Sequence, residues 1–281
     1  MRLAVGFFDG VHLGHRAILE GADAALTFSN HPLSVLAPEK APRLIMREAD
    51  RMAAIRACGV ERVFVYAFTR ETASVTPGQF VERLRHDCSD LSLRCGENWR
   101  FGRGGAGGPD FLEKEGIEVS VISYAQFDGA RVSSSRIREA LSDGRIEDAN
   151  AMLGRPHFMT CLRVPGKGVG TKMGYPTVNL DPIPPDTEGA SLVGLPLGAY
   201  AVEIGGARGV ANWGLAPTMG ERAWRRPVLE AHILDDGEVP GQNAREVRVD
   251  FLKFIRPEMK FESVEALKSQ IARDSDAARG V

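Results

Sequence analysis

The chain has 281 residues, of which 43% are hydrophobic and 26% are charged, and its formal net charge is -2 at neutral pH. This length predicts one large domain or two ordinary ones, and the composition is typical of a soluble globular protein. The nearly balanced charge argues against a general binder of nucleic acids or membrane surfaces, and no apolar run approaches the roughly 20 residues of a membrane span.

We expect no cleaved leader, because an apolar strand begins almost at Met1. Cys58, Cys88, Cys95 and Cys161 form no C-x-x-C pair and show no metal-ligand spacing with histidine. Scattered cysteines of this kind fit reduced thiols better than a disulfide framework. The sequence therefore predicts a cytoplasmic protein.

The stretch Val5–Leu19, VGFFDGVHLGHRAIL, carries the strongest chemical signal in the chain. It predicts a strand over Leu3–Phe8, a glycine turn, and a helix whose first turn contains H-x-G-H. Unpaired backbone N–H groups and the helix dipole make such a helix start an anion site. His12 and His15 add donors, or positive charge if protonated, and Gly14 leaves room for a phosphate. This arrangement suits nucleotidyl transfer, because negative charge builds on phosphate oxygens in that reaction. The alternative is a surface loop with two incidental histidines.

The following segments alternate between predicted strands and helices. Strands are predicted over Ala24–Phe28, Val63–Phe68, Leu91–Cys95 and Glu118–Ile122, and helices over Arg47–Cys58, from Thr76 onward and over Ile146–Leu153. Val63–Phe68 is an apolar run that we expect to be buried in a parallel sheet. At Thr76 the order Thr-Pro-Gly-Gln predicts a helix start with a capping box. This alternation predicts a doubly wound α/β domain.

Two segments of this half are candidates for ligand contact. His31 follows a predicted strand, where open α/β sheets bind ligands, although a turn histidine without a task is the alternative. The segment Gly96–Gly108, GENWRFGRGGAGG, can wrap closely around a ligand or form a flexible loop. Its G-x-G-x-x-G pattern does not predict a dinucleotide fingerprint, because it does not follow the first strand and Pro109 comes directly after it.

The segment Arg131–Leu141, RVSSSRIREAL, predicts a helix that begins with serines. Arg136 and Arg138 lie in its first turns, where positive charge is unfavourable unless an anion is bound. The pattern therefore favours phosphate contact over isolated surface charges.

From about Thr160 the pattern changes to short strand-like runs separated by glycine and proline. The clearest runs are Ala199–Ile204, Arg208–Ala211, Val228–Leu234 and Glu246–Phe254. Their spacing predicts a small β-barrel or sandwich. Ser263 is expected to cap a final helix, with Val264, Leu267 and Ile271 on one side.

The segment Pro165–Leu180, PGKGVGTKMGYPTVNL, contains glycines and lysines that can fold over a polyphosphate. It is not a Walker A loop, because the G-K-[ST] order is absent. Thr177 and Asn179 alternate along a predicted strand and face the same side. Two neutral oxygens of this kind can hold Mg²⁺ that is already bound to phosphates, and the alternative is a barrel turn with two polar strand residues.

These motifs resemble, in the same order, those of the bacterial bifunctional riboflavin kinase/FMN adenylyltransferases, also called FAD synthetases. Three segments resemble the adenylyltransferase half of the family: GFFDGVHLGH, the T-F-x-x-H-P pattern at His31, and the serine–arginine segment. Three others resemble the kinase half: the P-T-x-N segment, LEAHIL at Leu229–Leu234 and FIRPEMKF at Phe254–Phe261. Ala216 and Pro240 depart from the family, which has arginine and tyrosine at these places.

The resemblance implies an α/β protein with a Rossmann-like nucleotidyltransferase domain over 1–154 and a riboflavin-kinase-like antiparallel β-barrel with a terminal helix over 155–281. It implies that riboflavin and ATP give FMN and ADP, and that FMN and ATP give FAD and pyrophosphate. Mg²⁺ is the implied cofactor. The implied partners are small-molecule substrates only, without nucleic acid or membrane, in a monomer or weak homo-oligomer.

The resemblance also implies the site residues. The catalytic residues would be His12, His15 and Glu230, with Glu230 as the general base that deprotonates the ribityl hydroxyl. ATP and its phosphates would contact Gly6, Phe7, Asp9, Gly14, Ser134, Ser135, Arg136, Arg138, Gly166, Lys167, Gly168 and Gly170. Flavin would contact His31, Asn98, Trp99, Phe101 and Arg256, and Mg²⁺ would bind at Thr177 and Asn179.

Three alternatives stay open on the residues alone. One is an enzyme with a single working site, and another is a non-catalytic flavin-binding protein on the same scaffold. The third is a nucleotidyltransferase that acts on a different phosphorylated alcohol.

Overall fold

The structure is a computed structural model that describes residues 1–87, 90–166, 174–215, 227–234 and 245–281. These residues form two compact units. The first contains Met1–Arg138 together with Pro185–Val193, and the second contains Glu139–Pro184 together with Gly194–Val281. A short segment from the second half of the sequence therefore packs with the first unit.

The first unit is built on a five-stranded sheet with the order β3-β2-β1-β4-β5, and all its neighbouring strands are parallel. Its strands are β1 (Arg2–Val5), β2 (Ala24–Phe28), β3 (Arg62–Tyr66), β4 (Ser92–Gly96) and β5 (Glu118–Ile122). The strand order reverses at β1, which lies between β2 and β4. Ligands of open α/β sheets bind beyond the carboxyl ends of the strands at such a reversal point.

Short helices connect these strands. They are α1 (Leu13–Leu19), α2 (Leu33–Leu36), α3 (Glu48–Arg56), α4 (Arg70–Ser74), α5 (Pro77–Asp87) and α6 (Pro109–Lys114). The predicted capping box of α5 is confirmed. The Thr76 N–H donates to Gln79 Oε1 (3.0 Å), and the Gln79 N–H donates to Thr76 Oγ1 (3.3 Å).

A small hairpin and one more helix complete this part of the chain. The hairpin strands are β6 (Gln126–Phe127) and β7 (Ala130–Arg131), and the helix is α7 (Ser134–Ser142).

Two predictions about strands of the first unit were wrong in detail. The first strand ends at Val5 rather than Phe8, because Phe8 has a φ of 58°, which is incompatible with a strand. Strand β3 lies at an edge of the sheet rather than in its interior, so Val65 is 39% exposed and Tyr66 is 46% exposed.

The second unit begins within α7 and continues with α8 (Ile146–Leu153), which ends at Gly154 in the left-handed conformation as predicted (φ 70°). Its centre is a closed antiparallel barrel with the order β10-β11-β12-β9-β8-β13. The strands are β8 (His157–Val164), β9 (Thr177–Pro182), β10 (Gly198–Ile204), β11 (Ala207–Leu215), β12 (Pro227–Ile233) and β13 (Glu246–Pro257).

The barrel interior is filled by side chains, with Tyr200, Leu229 and Phe251 fully buried. The terminal helix α9 (Val264–Arg279) is capped by Ser263, whose Oγ accepts the Ala266 N–H (3.1 Å). Val264, in the first turn of this helix, is 51% exposed, whereas Asp274, Ser275 and Ala278 are buried. Within the described ranges, no helix has the length and apolarity needed to cross a membrane.

Leu93 on β4 belongs to the buried core cluster of the first unit and is fully buried. We expect Leu93→Ala to lower the free energy of unfolding by about 2–5 kcal/mol, because it leaves a cavity among packed side chains. Denaturant unfolding followed by circular dichroism measures this change. Val121→Ala on the edge strand β5 is the control, since Val121 is 43% exposed, and its cost should stay below about 1 kcal/mol.

Candidate active sites

The turn that follows β1 is held in a strained backbone conformation. Phe8, Gly10 and Val11 have φ values of 58°, 84° and 43°. The Val11 N–H donates to the Phe8 carbonyl (3.0 Å). Positive φ is costly for phenylalanine and more so for the β-branched valine, so the surroundings must stabilise this turn. The turn aims the start of α1 at the carboxyl edge of the sheet.

His12 and His15 lie together at the start of α1. His12 occupies the N-cap position, and its Nδ1 accepts the His15 N–H (3.2 Å). The two rings stack with their centroids 3.6 Å apart. Because Nδ1 of His12 is an acceptor, a neutral His12 carries its proton on Nε2 and can donate from there. A side chain at Gly14 would begin 3.3 Å from the His12 ring, so glycine fits here.

The histidines of this site are neutral at neutral pH. Burial, and then the charges of Arg131 and Arg138, lower the pKa of His12 from 6.5 to about 4. Burial also lowers the pKa of His15 well below its ordinary value and that of His31 to about 4. The Nδ1 atom of His15 is buried and has no hydrogen-bond partner in the part of the chain that the structure describes. Both catalytic candidates are therefore hydrogen-bonding groups rather than cations.

Asp9 lies at the centre of the turn with 2% of its surface exposed. Its carboxylate accepts the Ile45 N–H (3.0 Å) and an Arg138 N–H (2.7 Å), and its carbonyl accepts the Ser134 hydroxyl (2.9 Å). Burial raises the pKa of Asp9, and Arg138 and the Ile45 N–H oppose that rise. The carboxylate thus ties the turn to α7 and to the segment before α3.

The structure gives the predicted phosphate arginines different contacts. Arg138 is ion-paired with Asp9. One nitrogen of Arg136 donates to the carbonyls of Phe127, Ala130 and Arg131 at 2.9–3.2 Å, and so holds the β6–β7 hairpin. The N–H of Arg136 donates to Ser133 Oγ (3.3 Å), which caps α7, while Ser135 is exposed in its first turn.

Arg131 and Arg51 were missed by the sequence analysis. The exposed guanidinium of Arg131 lies 3.3 Å from the ring centroid of Tyr124, and its charge helps to lower the pKa of both His12 and His15. Arg51 is 1% exposed and donates to the carbonyls of Phe7 (3.2 Å) and Phe28 (2.6 Å), which joins the loops after β1 and β2. The one available signal for Arg51 was an arginine on the apolar side of α3, next to Met52 and Ile55.

Beside this turn, a cavity of about 600 Å³ opens at the carboxyl ends of the strands. Its walls are mainly apolar and aromatic, with Arg83, His86 and Arg100 among the polar groups. The aromatic wall residues are Phe7, Phe28, Tyr66, Phe68, Phe80, Trp99 and Phe101. This size and lining fit a flat organic ligand.

The glycine-rich segment forms one side of the cavity. The rings of Trp99 and Phe101 stack with centroids 4.9 Å apart. Gly107 pairs with Phe101 through two backbone hydrogen bonds, and any side chain at Gly107 would overlap the Phe101 ring. Asn98 is exposed and does not line this cavity. His31 contacts the Phe7 ring edge to face (4.9 Å), and its Nδ1 accepts the Leu33 N–H (3.1 Å).

In the barrel unit, the predicted polar residues come together on neighbouring strands. Glu230 on β12 lies opposite Asn179 on β9. The Thr177 hydroxyl donates to Glu230 Oε1 (2.7 Å), and Glu230 is exposed. Gly166 lies against Asn179, because a side chain at position 166 would overlap the Asn179 amide. The side chains of Thr177, Asn179 and Glu230 thus lie close together on neighbouring strands of the barrel.

A cavity of about 280 Å³ adjoins this patch, and Thr177, Glu230 and Arg256 are among its lining residues. The guanidinium of Arg256 forms an ion pair with Asp274 of α9 (2.7 Å), so part of it is already occupied by a protein carboxylate. Asp274 is 4% exposed and also accepts a hydrogen bond from Gln270 (2.8 Å). Sequence analysis missed Asp274, although a carboxylate at helical spacing from Ile271 and Ala278 was the available signal.

Some predicted residues lie outside the described ranges. They are Lys167, Gly168 and Gly170, and the family departures Ala216 and Pro240. Within the described ranges, no three His, Cys, Asp or Glu side chains cluster as a metal site.

A parallel sheet that leads into an H-x-G-H helix start, followed by a closed barrel with P-T-x-N, defines a two-part flavin-nucleotide transferase. An FAD synthetase family model matches residues 1–136, and a riboflavin kinase family model matches residues 153–281. The chain thus belongs to the bifunctional riboflavin kinase/FMN adenylyltransferase family, which confirms the resemblance and the fold class.

Relatives match over nearly the whole chain. The bifunctional riboflavin kinase/FMN adenylyltransferase of Escherichia coli (strain K12) is 35% identical over 297 residues, which cover 99% of this chain and 91% of the relative. The enzyme of the same name from Bacillus subtilis (strain 168) is 32% identical, and the match covers 98% of this chain and 90% of the relative. A crystal structure of a Streptococcus pneumoniae protein described as a macrolide-efflux protein is 26% identical, with a TM-score of 0.83, and covers 100% of this chain and 94% of that one.

The lowered pKa of His12 predicts a pH-dependent stability. Between pH 6.5 and about 4, His12 is protonated in the unfolded chain but neutral in the folded chain. The free energy of unfolding therefore falls as the pH falls through this window. His12→Asn keeps an oxygen that can accept the His15 N–H but removes the titration. We expect its unfolding free energy to depend less steeply on pH, by up to about one proton. Denaturant titrations across the window test this, and equal slopes for both proteins would contradict it.

Proposed function

We propose that this chain converts riboflavin to FAD in two ATP-dependent steps, with phosphorylation in the barrel unit and adenylylation in the parallel-sheet unit. One observation carries this proposal: a single chain of the family contains both sites. The first unit has an H-x-G-H helix start beside a mainly apolar cavity, and the barrel has the Thr177–Glu230 hydrogen bond. We assign adenylylation to residues 1–154 and phosphorylation to residues 155–281.

In the adenylylation step, a phosphate oxygen of FMN attacks the α-phosphorus of ATP and pyrophosphate leaves. A phosphate is already a competent nucleophile, so the protein needs no covalent intermediate. The isoalloxazine ring would lie in the 600 Å³ cavity between the aromatic walls. His12 Nε2–H and the N–H groups at the start of α1 would donate to the phosphate oxygens, where negative charge develops.

We propose different roles in this step for Arg131, Arg136 and Arg138. We assign the positive charge nearest the phosphates to Arg131, because its guanidinium contacts the Tyr124 ring rather than a carboxylate. Arg136 would hold the hairpin that carries Arg131, since its side chain donates to three hairpin carbonyls. Arg138 would act both on the phosphates and on Asp9. Gly6 and Gly14 would let the nucleotide approach the backbone closely.

In the phosphorylation step, the ribityl 5′-hydroxyl of riboflavin attacks the γ-phosphorus of ATP and ADP leaves. Glu230 would accept the hydroxyl proton as general base. The Thr177 hydroxyl donates to Glu230 Oε1 (2.7 Å), which fixes the position of the carboxylate on the barrel face. Arg256, fixed by Asp274, would line the flavin side of the neighbouring cavity.

Mg²⁺ fits the donor set of this patch. Thr177 uses its proton for Glu230, which leaves its oxygen lone pairs available, and Asn179 adds an amide oxygen on the same face of β9. Hard cations prefer such oxygen ligands, and Mg²⁺ is usually bound by a few protein oxygens together with phosphates and water. When bound with ATP, the ion would neutralise phosphate charge. Cytoplasmic location and a monomer or weak homo-oligomer stay predictions.

We expect His15→Ala to abolish FAD formation and to spare FMN formation. The substitution removes one imidazole of the stacked pair in the first unit, whereas Thr177 and Glu230 belong to the second unit. The measurement follows riboflavin, FMN and FAD by chromatography after addition of riboflavin, ATP and MgCl₂. Equal loss of both products in a folded variant would contradict two separate sites.

We expect Glu230→Gln to slow FMN formation by roughly 10²–10⁴-fold, because glutamine keeps the shape but cannot take the proton. FAD formation from supplied FMN should stay unchanged. Glu203→Gln is the matched control, since Glu203 is a surface residue of β10 that pairs with Arg208. Normal FMN formation by the Glu230 variant would remove this residue as the base.

A further inference from the structure

Residues 185–193, which we name the strap, belong to the first unit by their contacts although the sequence places them between two barrel strands. The chain leaves β9 at Pro182, forms the strap, and enters β10 at Gly198. Only residues 1–136 match the FAD synthetase family model, so the strap lies outside the matched segment. Its hydrogen bonds and its ion pair with the first unit reach Ser29 and the segment from Leu44 to Ala49.

Helix α3 obtains its cap from the strap. The N-cap residue of this helix is Arg47, whose side chain makes no capping hydrogen bond. Instead Asp186 Oδ2 accepts the Ala49 N–H (2.9 Å), and Asp186 Oδ1 lies 3.7 Å from an Arg47 nitrogen. A cap of this kind satisfies an N–H group that would otherwise have no partner at the helix start.

A second contact of the strap fixes the backbone before α3. The Leu44 N–H donates to the Ser191 carbonyl (2.7 Å), and the Val193 N–H donates to the Leu44 carbonyl (2.8 Å). Both backbone groups of Leu44 are therefore held by the strap. Leu44 and Val193 are buried, at 5% and 4% exposure, so this pairing is not a surface feature.

A third contact of the strap is made by Thr187, which lies between Asp186 and Ser191 in the sequence. Thr187 Oγ1 is 3.3 Å from the Ser29 carbonyl and 3.3 Å from Glu48 Oε2. The Ser29 carbonyl also accepts a hydrogen bond from Arg51 (3.2 Å). The strap thus reaches the loop after β2 as well as the start of α3.

The region that the strap holds is the one that supports the catalytic turn. Ile45, which follows Leu44, donates its N–H to the Asp9 carboxylate, and Asp9 in turn holds Arg138. Arg51, in α3, donates to the Phe7 carbonyl. Both supports of the H-x-G-H turn are therefore close to a strap contact. Ile45 is adjacent to Leu44, and Arg51 lies within one helical turn of Ala49.

We propose that the strap positions the adenylyl-transfer site, with Asp186 as a positioning residue that acts through α3 and through the Ile45–Asp9 hydrogen bond. This inference rests on the proposed function of that site. It means that adenylylation requires residues that the sequence places within the kinase half. Transfer rates are sensitive to such support, because a misplacement of about 1 Å can cost roughly 10²-fold.

The test compares full-length variants in FAD formation from FMN and ATP with MgCl₂. We expect Asp186→Ala to lower kcat by at least about tenfold, toward the loss that a small misplacement causes. Asp186→Asn should stay within about threefold of the wild type, because asparagine caps helices as well as aspartate. Glu188→Ala is the matched control, since Glu188 is an exposed acidic strap residue, and it should behave as the wild type.

Two further readouts separate positioning from unfolding. The stoichiometry of FMN binding, from flavin fluorescence, and FMN formation from riboflavin should both stay unchanged in Asp186→Ala. Parallel loss of both activities, or wild-type kcat in Asp186→Ala, would overturn the inference. A failure of Asp186→Asn to recover activity would also overturn the role of the cap. An inactive wild-type chain would remove the proposed function together with this inference, whereas an active one with an unaffected variant would remove only the inference.

Discussion

The buried carboxylate of Asp9 is the interaction on which the first unit depends. A charged group removed from water must be compensated by hydrogen bonds and an opposite charge. Here the compensation comes from Arg138 on α7 and from the Ile45 N–H. Burying Asp9 therefore requires the start of α7 and the segment before α3 to meet at one turn. That turn can then keep the positive φ of Phe8 and Val11.

Features that depend on neighbouring residues could be predicted from the sequence. The capping box at Thr76, the end of α8 at Gly154 and the strand Glu118–Ile122 all follow from local chemistry, and the structure contains each of them. The short strand-like runs between glycines and prolines predicted a small β-barrel or a sandwich. The closure of that barrel could not be chosen over a sandwich, because it depends on pairing between β10 and β13, which are far apart in the sequence.

Partners of long charged side chains could not be predicted. Arg136 and Arg138 at a helix start indicated an anion, but Arg136 also satisfies hairpin carbonyls and Arg138 pairs with Asp9. A guanidinium has five N–H donors that can donate to carbonyl, carboxylate or phosphate oxygens, so its position in a motif does not identify its partner. For the same reason, nothing in the local sequence of α3 indicated that its cap would come from Asp186.

The parallel sheet of the first unit leaves part of an edge strand exposed. A barrel has no open edges, but a sheet has two, and an apolar edge strand can pair with another chain. Edge strand β3 exposes Val65 and Tyr66, and Tyr66 is also part of the cavity wall. A ligand that fills the cavity covers part of this surface. Binding of a small molecule in this cavity would therefore also remove apolar surface of Tyr66 beside the sheet edge.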